Sequence, residues 1–255
     1  MSEHVQTDLR AGVLTLTLAR VDKKNALSND MYAALADAIE GAESDPSIRV
    51  IVFRALGETF TAGNDIAEFA AQAAGSGPKE PQVLRFLRAL VTATRPLVAA
   101  VQGHAVGVGT TMLLHCDYVL LAENAVLMTP FVNLALVPEA GSSQLMPALV
   151  GHLRAFKMFA LGEPVRATEA VAWGLASRCV PLQALHEEAR QVADRIAKQP
   201  AGALLATKKL MRDPETLVAR MERENEVFAR RLQSSEAREA FTAFARRRPP
   251  DGSRQ

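Results

Sequence analysis

Residues 96–122 read PLVAAVQGHAVGVGTTMLLHCDYVLLA, and their order sets the fold class. PLVAAV (96–101) is an unbroken apolar run of strand length, the pattern of a buried strand. A turn with three glycines, Gly103 to Gly109, follows it. Next come a short apolar helix over 108–115 and another strand, YVLLA, over 118–122. Strand, tight turn, helix and strand in so short a span is the rhythm of an α/β protein. From Pro96 to Cys116 no residue is charged when histidine is neutral. Pro96, Gln102, His104, His115 and the glycines nevertheless exclude a spanning helix, which needs about 20 predominantly apolar residues.

Upstream, GVLTLTL (12–18) alternates apolar residues with threonine, and VIVFRA (50–55) is a second apolar run, so both read as strands. Ser28 opens an amphipathic helix with Met31, Leu35, Ala38 and Ile39 on one face and an expected end near Gly41. Residues 65–73 read as helix, GSGPKEP (75–81) interrupts, and a helix resumes over 82–93. Downstream, 125–128 is expected to pair near the strand at 118–122. Helices are then expected over 139–149, 151–160, 167–172, 184–198, 201–212 and 214–246, with one short strand at 177–180. This division predicts an α/β core over 1–195 and a helical region over 196–255. In the latter, Leu217, Met221, Phe228, Leu232, Phe241 and Phe244 recur at near-helical spacing. Such a stripe packs either on the parent core or on a neighbouring subunit.

The chain has 255 residues, 49% apolar and 22% charged, ample for a core and unlike a disordered or fibrous chain. The net charge of +1 offers no basic field for nucleic acid. Cys116 and Cys179 are the two cysteines, too few for a disulfide framework, so a reducing cytoplasm is the expected compartment. MSEHVQTDLR at the start lacks the apolar run of a secretory signal. The five histidines and two cysteines show no metal-ligand spacing, and no metal is expected. Met112 stands where a dinucleotide fingerprint needs its third glycine. Ser142 and Ser143 have no nucleophile-elbow context. Arg246, Arg247 and Arg248 read either as a solvated helix end or as a contact to phosphate.

Between Pro96 and Leu153 only Asp117, Glu123 and Glu139 carry a formal charge, where average composition would supply about a dozen charged residues. A charge in such an interior needs a reason. Asp117 and Glu123 flank a strand, where solvation or a hydrogen bond suffices. Glu139 follows Pro138 among Phe131, Leu134, Leu136 and Val137. It reads either as an acid favoured by the dipole of a helix first turn or as a carboxylate in an apolar pocket. In the second case desolvation would raise its pKa toward a proton-transfer range.

Two glycine turns follow strands and open helices: Phe60-Thr61-Ala62-Gly63-Asn64-Asp65-Ile66 and Gly103-His104-Ala105-Val106-Gly107-Val108-Gly109. Alone, each is an ordinary strand-to-helix connection. Brought together, their free backbone N–H groups could meet on one oxygen, the geometry of an oxyanion hole.

These segments, in this order, resemble the crotonase (enoyl-CoA hydratase/isomerase) superfamily over nearly the whole chain. Arg20-Val21-Asp22-Lys23-Lys24-Asn25-Ala26-Leu27 resembles its early coenzyme A-binding segment. Phe60 to Ile66 and Gln102 to Gly109, the latter followed by His115-Cys116-Asp117, resemble its two oxyanion turns. Pro130-Phe131 and Leu136 to Ser143 resemble its catalytic segment. The resemblance implies a spiral of ββα units with a C-terminal helical trimerisation region, and a homotrimer or dimer of trimers. It implies an acyl-CoA thioester as substrate, with no cofactor beyond the coenzyme A that the substrate carries. It implies N–H donors at Asn64 and Val108, and a pocket lined by Lys23, Lys24, Ala26, Ala62, Asp65, Ile66, Ala67, Thr111 and Phe131. The segment 68–85 is expected to shape the acyl pocket.

The chain departs from the two-glutamate hydratases at both acids: Thr111 and Phe131 stand in their places. Glu139 instead occupies the position of the base in the peroxisomal type of Δ3-Δ2-enoyl-CoA isomerase, which Gly63-Asn64-Asp65-Ile66 also resembles. The expected activity is therefore movement of a β,γ double bond to α,β, with Glu139 as the single acid/base. The alternatives are hydration of a 2-trans-enoyl-CoA and acyl-CoA binding without turnover.

Overall fold

A computed structural model describes residues 2–73, 75–78 and 80–247. The chain winds through a repeated course in which one strand enters a large sheet and the next segment enters a small one. β1 (Val5–Arg10) and β2 (Val13–Leu18) form an antiparallel hairpin. Its turn uses Ala11 and Gly12, both at positive φ, as two-residue hairpin loops require. Sequence pattern alone misses β1, because in VQTDLR only Val5 is buried. Leu27 then makes a bridge in the second layer, and α1 (Asn29–Ser44) returns. Ser28 Oγ caps α1 by accepting from Met31 N at 3.4 Å. The helix runs past the expected stop at Gly41. Ala42 is fully buried, and packing outweighs the cost of about 1 kcal/mol for an interior glycine.

β3 (Val50–Ala55) begins the next turn, Thr61 makes its second-layer bridge, and α2 (Ile66–Ala73) and α3 (Gln82–Thr92) follow. In the third turn β4 (Leu97–Val101) leads to β5 (His104–Val106) and α4 (Val108–Thr111). β6 (Tyr118–Ala122) and β7 (Val126–Met128) open the fourth, continued by α5 (Ser142–Val150) and α6 (His152–Leu161). β8 (Val165–Arg166), α7 (Ala167–Ala172) and β9 (Arg178–Val180) close the strand-bearing part. The large sheet has the order β1-β2-β3-β4-β6-β9, parallel from β2 onward, and the small sheet is β5-β7-β8.

The central strands read as continuous apolar runs because both faces of the large sheet are covered. Leu16, Ile51, Phe53, Ala99 and Leu121 pack toward α1 and α3 in one cluster. Val13, Val50, Val52, Val98 and Leu120 alternate with them and meet α8 (Leu185–Ala197) through Leu185, Ala189 and Val192. The chain ends in α9 (Ala201–Met211), α10 (Pro214–Leu232) and α11 (Ser235–Arg247).

Three expectations change. The helix foreseen over 214–246 divides at Ser234, whose Oγ accepts from Ala237 N at 3.2 Å to start a new helix. Leu217, Met221, Leu232 and Phe241 are buried in the core of their own chain, which decides for the first of the two readings of that stripe. The helix foreseen from 139 starts at Ser142, because Ala140 and Gly141 both have left-handed φ, +63° and +69°, which no α-helix admits. Phe244's side chain lies outside the described residues. Among the described residues no helix is long and apolar enough to cross a membrane.

Candidate active site

The two glycine turns are stitched together by the small sheet. Thr61 and Ala105 form a parallel bridge: Thr61 N donates to His104 O, and Val106 N donates to Thr61 O, each at 3.1 Å. Counted forward from that pair in parallel register, Gly63 falls opposite Gly107 and Asn64 opposite Val108. Both glycines have positive φ, +85° and +56°, and each turns the following N–H out of the ladder. The neighbours of these N–H groups are engaged: Asp65 N donates to Leu27 O and Gly107 N to Met128 O. Among the described residues the N–H groups of Asn64 and Val108 have no acceptor. A Cβ on Gly63 would lie 2.7 Å from Val106 O, so the turns touch. Thr110 Oγ1 donates to Ala105 O at 2.6 Å, holding α4 against the end of β5.

Glu139 stands on the strained segment before α5 and is 5% exposed. Burial raises its pKa to about 7, with help from the charge of Glu224 and against a hydrogen bond from Thr111. That bond runs from Thr111 Oγ1 to Glu139 Oε1 at 2.6 Å. The left-handed residue after Glu139 is held by His115, whose Nε2 lies 2.8 Å from Ala140 O. Burial, then the Arg212 cation, pushes the His115 pKa down to about 3. The ring is thus neutral, and its Nε2–H donates to the carbonyl. Arg212 in turn donates to the carbonyls of His115 at 3.0 Å and Leu114 at 2.7 Å. His115 is a strut of the segment, and His104 is an exposed strand residue. Phe131 is buried against Phe159, with ring centroids 6.0 Å apart.

Two residues of this region escaped sequence reasoning. Tyr32, buried on α1, donates its hydroxyl to Asn64 Oδ1 at 2.5 Å. Burial, then the charges of Glu139 and Glu68, hold its phenol protonated, well above the ordinary value. The other is Glu224 on α10, which accepts from Gly141 N at 2.6 Å and Ser143 N at 2.9 Å. Both sit on helix faces, and nothing in their local sequence marks them.

The segment 20–26 is tied to the first turn. Asn25 is buried at φ +54°. Its side chain accepts from Arg20 N and donates to the carbonyls of Leu56 and Thr59. Ala62 N donates to Lys24 O at 2.9 Å. Lys24 is exposed, Lys23 and Ala26 are half-buried, Ile66 packs on the core and Ala67 is exposed in the first turn of α2. The Asp65 carboxylate is committed to the scaffold: it pairs with Arg20 Nη1 at 2.7 Å and accepts from Ala67 N at 2.9 Å. Burial works to raise its pKa, but Arg20 and the backbone donors together hold it below the usual carboxylate range. Phe69, within the segment expected to shape the pocket, meets Phe228 and Phe241 edge-on, each at 5.9 Å. Arg248 and the side chains of Arg246 and Arg247 lie outside the described residues. Among the described residues no group of three His, Cys, Asp or Glu is placed to hold a metal ion.

Comparison with known proteins agrees with this architecture. The family pattern described as Enoyl-CoA hydratase/isomerase matches residues 8–254. The chain is 32% identical to 1,2-epoxyphenylacetyl-CoA isomerase of Escherichia coli K12, over 98% of each chain. It is 35% identical to 2,3-dehydroadipyl-CoA hydratase of the same organism, over 94% of each. A crystal structure of enoyl-CoA hydratase/isomerase from Pseudoalteromonas atlantica T6c superposes with a TM-score of 0.91 at 38% identity, over 98% of this chain and all of that one. These relatives include both an isomerase and a hydratase by name. With the stitched turns and the buried glutamate already in place, the match over nearly its full length makes this chain a member of the enoyl-CoA hydratase/isomerase (crotonase) family.

Proposed function

We propose that the protein is an enoyl-CoA isomerase that moves a β,γ double bond to the α,β position with Glu139 as its single acid/base. The observation that carries this reading is the pairing of Glu139 with Thr111, where a hydratase of the family has a second acid. The Thr111 hydroxyl is used up as a donor to Oε1, which leaves Oε2 to handle a proton. A carboxyl group with a pKa near 7 can both take and return a proton at neutral pH.

In this reading the thioester oxygen sits between the N–H groups of Asn64 and Val108. Glu139 takes a proton from the α carbon, and the C–H electron pair moves toward the carbonyl to give a dienolate. The two N–H groups stabilise its negative oxygen, and the loss of one such donor typically costs about 3 kcal/mol. The dienolate then takes the same proton back at the γ carbon, so substrate and product have equal mass. Phe131 and Thr111 provide no second carboxylate to orient and activate water, which disfavours hydration. Lys23, Lys24, Ala26, Ala62 and the Asn64–Ala67 turn are assigned to the coenzyme A moiety. Phe131 is assigned to the acyl side. Neither metal nor redox cofactor enters the scheme, and a homotrimer is the expected assembly.

The test is to incubate the protein with a 3-enoyl-CoA and, separately, a 2-trans-enoyl-CoA, and to weigh the products. A conjugated product of unchanged mass from the first, with no water added to the second, is the expected result. Gain of one water by the second substrate would replace this reading with a hydratase. Tight binding without turnover of either would replace it with a binding role.

A further inference from the structure

The N–H groups of Gly141 and Ser143 open α5 just after Glu139. A carboxylate placed there would ordinarily swing onto them: unpaired helix N-terminal donors and the helix dipole both attract a nearby anion. Captured in that way, Glu139 would be a weak base. The structure shows those two donors already taken, at 2.6 and 2.9 Å, by Glu224 from α10. Glu224 is itself only 6% exposed. Both carboxylate oxygens are used, one for each N–H; a glutamine could accept from only one of them, because its amide nitrogen would face the other donor. The two donors nearest Glu139 are therefore closed to it.

We propose that Glu224 is a positioning residue for the catalytic base: it occupies the N-terminal donors of α5, so that Glu139 is left to the substrate, and it places a second carboxyl group behind Glu139. The inference rests on the isomerase reading of Glu139. It also gives the C-terminal helices a part in the chemistry, since α10 delivers the residue.

The groups around Glu139 support this. α4 contributes the Thr111 hydroxyl, which favours the charged form of Glu139. From α1 comes the Tyr32 phenol, held protonated. The neutral His115 ring touches the next residue's carbonyl, and Arg212 faces the carbonyls of His115 and Leu114. α10 contributes Glu224, whose charge opposes ionisation of Glu139; burial pushes the pKa of Glu224 itself up, against the donors of Ser143 and Gly141 and the Arg220 cation.

The experiment measures kcat and KM against pH for the full chain and for Glu224→Gln, Glu224→Asp and Glu139→Gln. Removing the neighbouring charge lowers the pKa of Glu139, so its base form persists to lower pH. For Glu224→Gln the acid limb of kcat/KM should therefore move down by about one pH unit. The plateau kcat should fall by about threefold, because a less basic carboxylate removes protons more slowly, and KM should change less than twofold. Glu224→Asp, with its charge drawn back by one methylene, should shift the limb in the same direction by less. A pure cap would lower the melting temperature of Glu224→Gln and leave its limb in place, and that result overturns the proposal. If Glu224→Gln does not fold, an unmoved limb in Glu224→Asp overturns it equally. An active Glu139→Gln would sink the isomerase reading itself. An inactive Glu139→Gln with an unshifted Glu224→Gln would sink only the role of Glu224.

Discussion

Asp65 and Glu139 lie on the two segments that build the candidate site, and the fold treats them in opposite ways. The turn carrying Asp65 surrounds the carboxylate with a guanidinium and backbone donors, and its pKa falls. The segment carrying Glu139 offers one hydroxyl, an apolar setting and a second carboxylate, and its pKa rises to about 7. Residue type is nearly the same at the two sites. The difference teaches that supply of donors, rather than the presence of an acid, separates a scaffold carboxylate from one fit for proton transfer.

The largest test of that contrast is Glu139→Gln, which keeps the shape and removes the base. Isomerase kcat should fall by at least about a thousandfold, read by the appearance of the conjugated thioester. The same variant should be the more stable protein at pH 8. The folded pKa of about 7 lies above the ordinary 4.5, so the native state is penalised when Glu139 is ionised, by about 3 kcal/mol. That penalty is gone below about pH 4.5, grows as pH rises from there to about 7, and is constant above it. The gap in melting temperature between the two proteins should therefore stay nearly level from pH 8 to 7 and narrow from pH 7 to 5, and a gap constant over the whole range would show that Glu139 is not desolvated.

Gly63→Ala comes next, because it moves the first turn without touching either acid. The new Cβ would meet Val106 O at 2.7 Å in a backbone of φ +85°, so the Asn64 N–H must shift. A loss of about a hundredfold in kcat is expected, and full activity would remove Asn64 from the scheme. Thr111→Val takes away the one hydrogen-bond donor to the Glu139 side chain among the described residues. The pKa of Glu139 then rises further, so the acid limb should move upward, with about a tenfold loss at pH 6 that largely recovers at pH 8.5. A downward shift would reverse the assigned role of the hydroxyl.

The smallest catalytic effect belongs to Arg20→Ala. It strips Asp65 of its partner and should cost about 2 kcal/mol in thermal or urea unfolding, since both side chains are largely buried. KM for the thioester should rise a few-fold as the first turn loosens, with the acid limb unmoved. A moved limb would mean that Asp65, not Glu139, sets the pH dependence, and the contrast would fail.

Much of this was legible before any coordinates. The unbroken apolar runs of β3, β4 and β6 announce strands covered on both faces. The charge-poor stretch from Pro96 to Leu153 isolates Glu139 as an acid in need of an explanation. The glycines at 63 and 107 mark the two turns. Other features were hidden for definable reasons. β1 shows its polar face to solvent and gives no periodic signal. The start of α5 was misplaced because helix propensity does not report that His115 holds the Ala140 carbonyl in a left-handed turn. Tyr32 and Glu224 sit on helices whose periodicity tells which face is inward but not what that face meets.

Short-range pattern, which acts through backbone sterics and the burial of alternating or helical faces, was thus enough for the central strands, the two glycine turns and the identity of the odd acid, while the order of the motifs carried the family resemblance. The state of that acid belongs to another scale. Its desolvation, the hydroxyl from α4 and the carboxylate that arrives from α10, 83 residues beyond Gly141 in the chain, are contributed by segments that meet only on folding. Proton affinity depends on which charges and dipoles lie within a few ångströms, and that neighbourhood exists only once the spiral has closed and the C-terminal helices have docked on it.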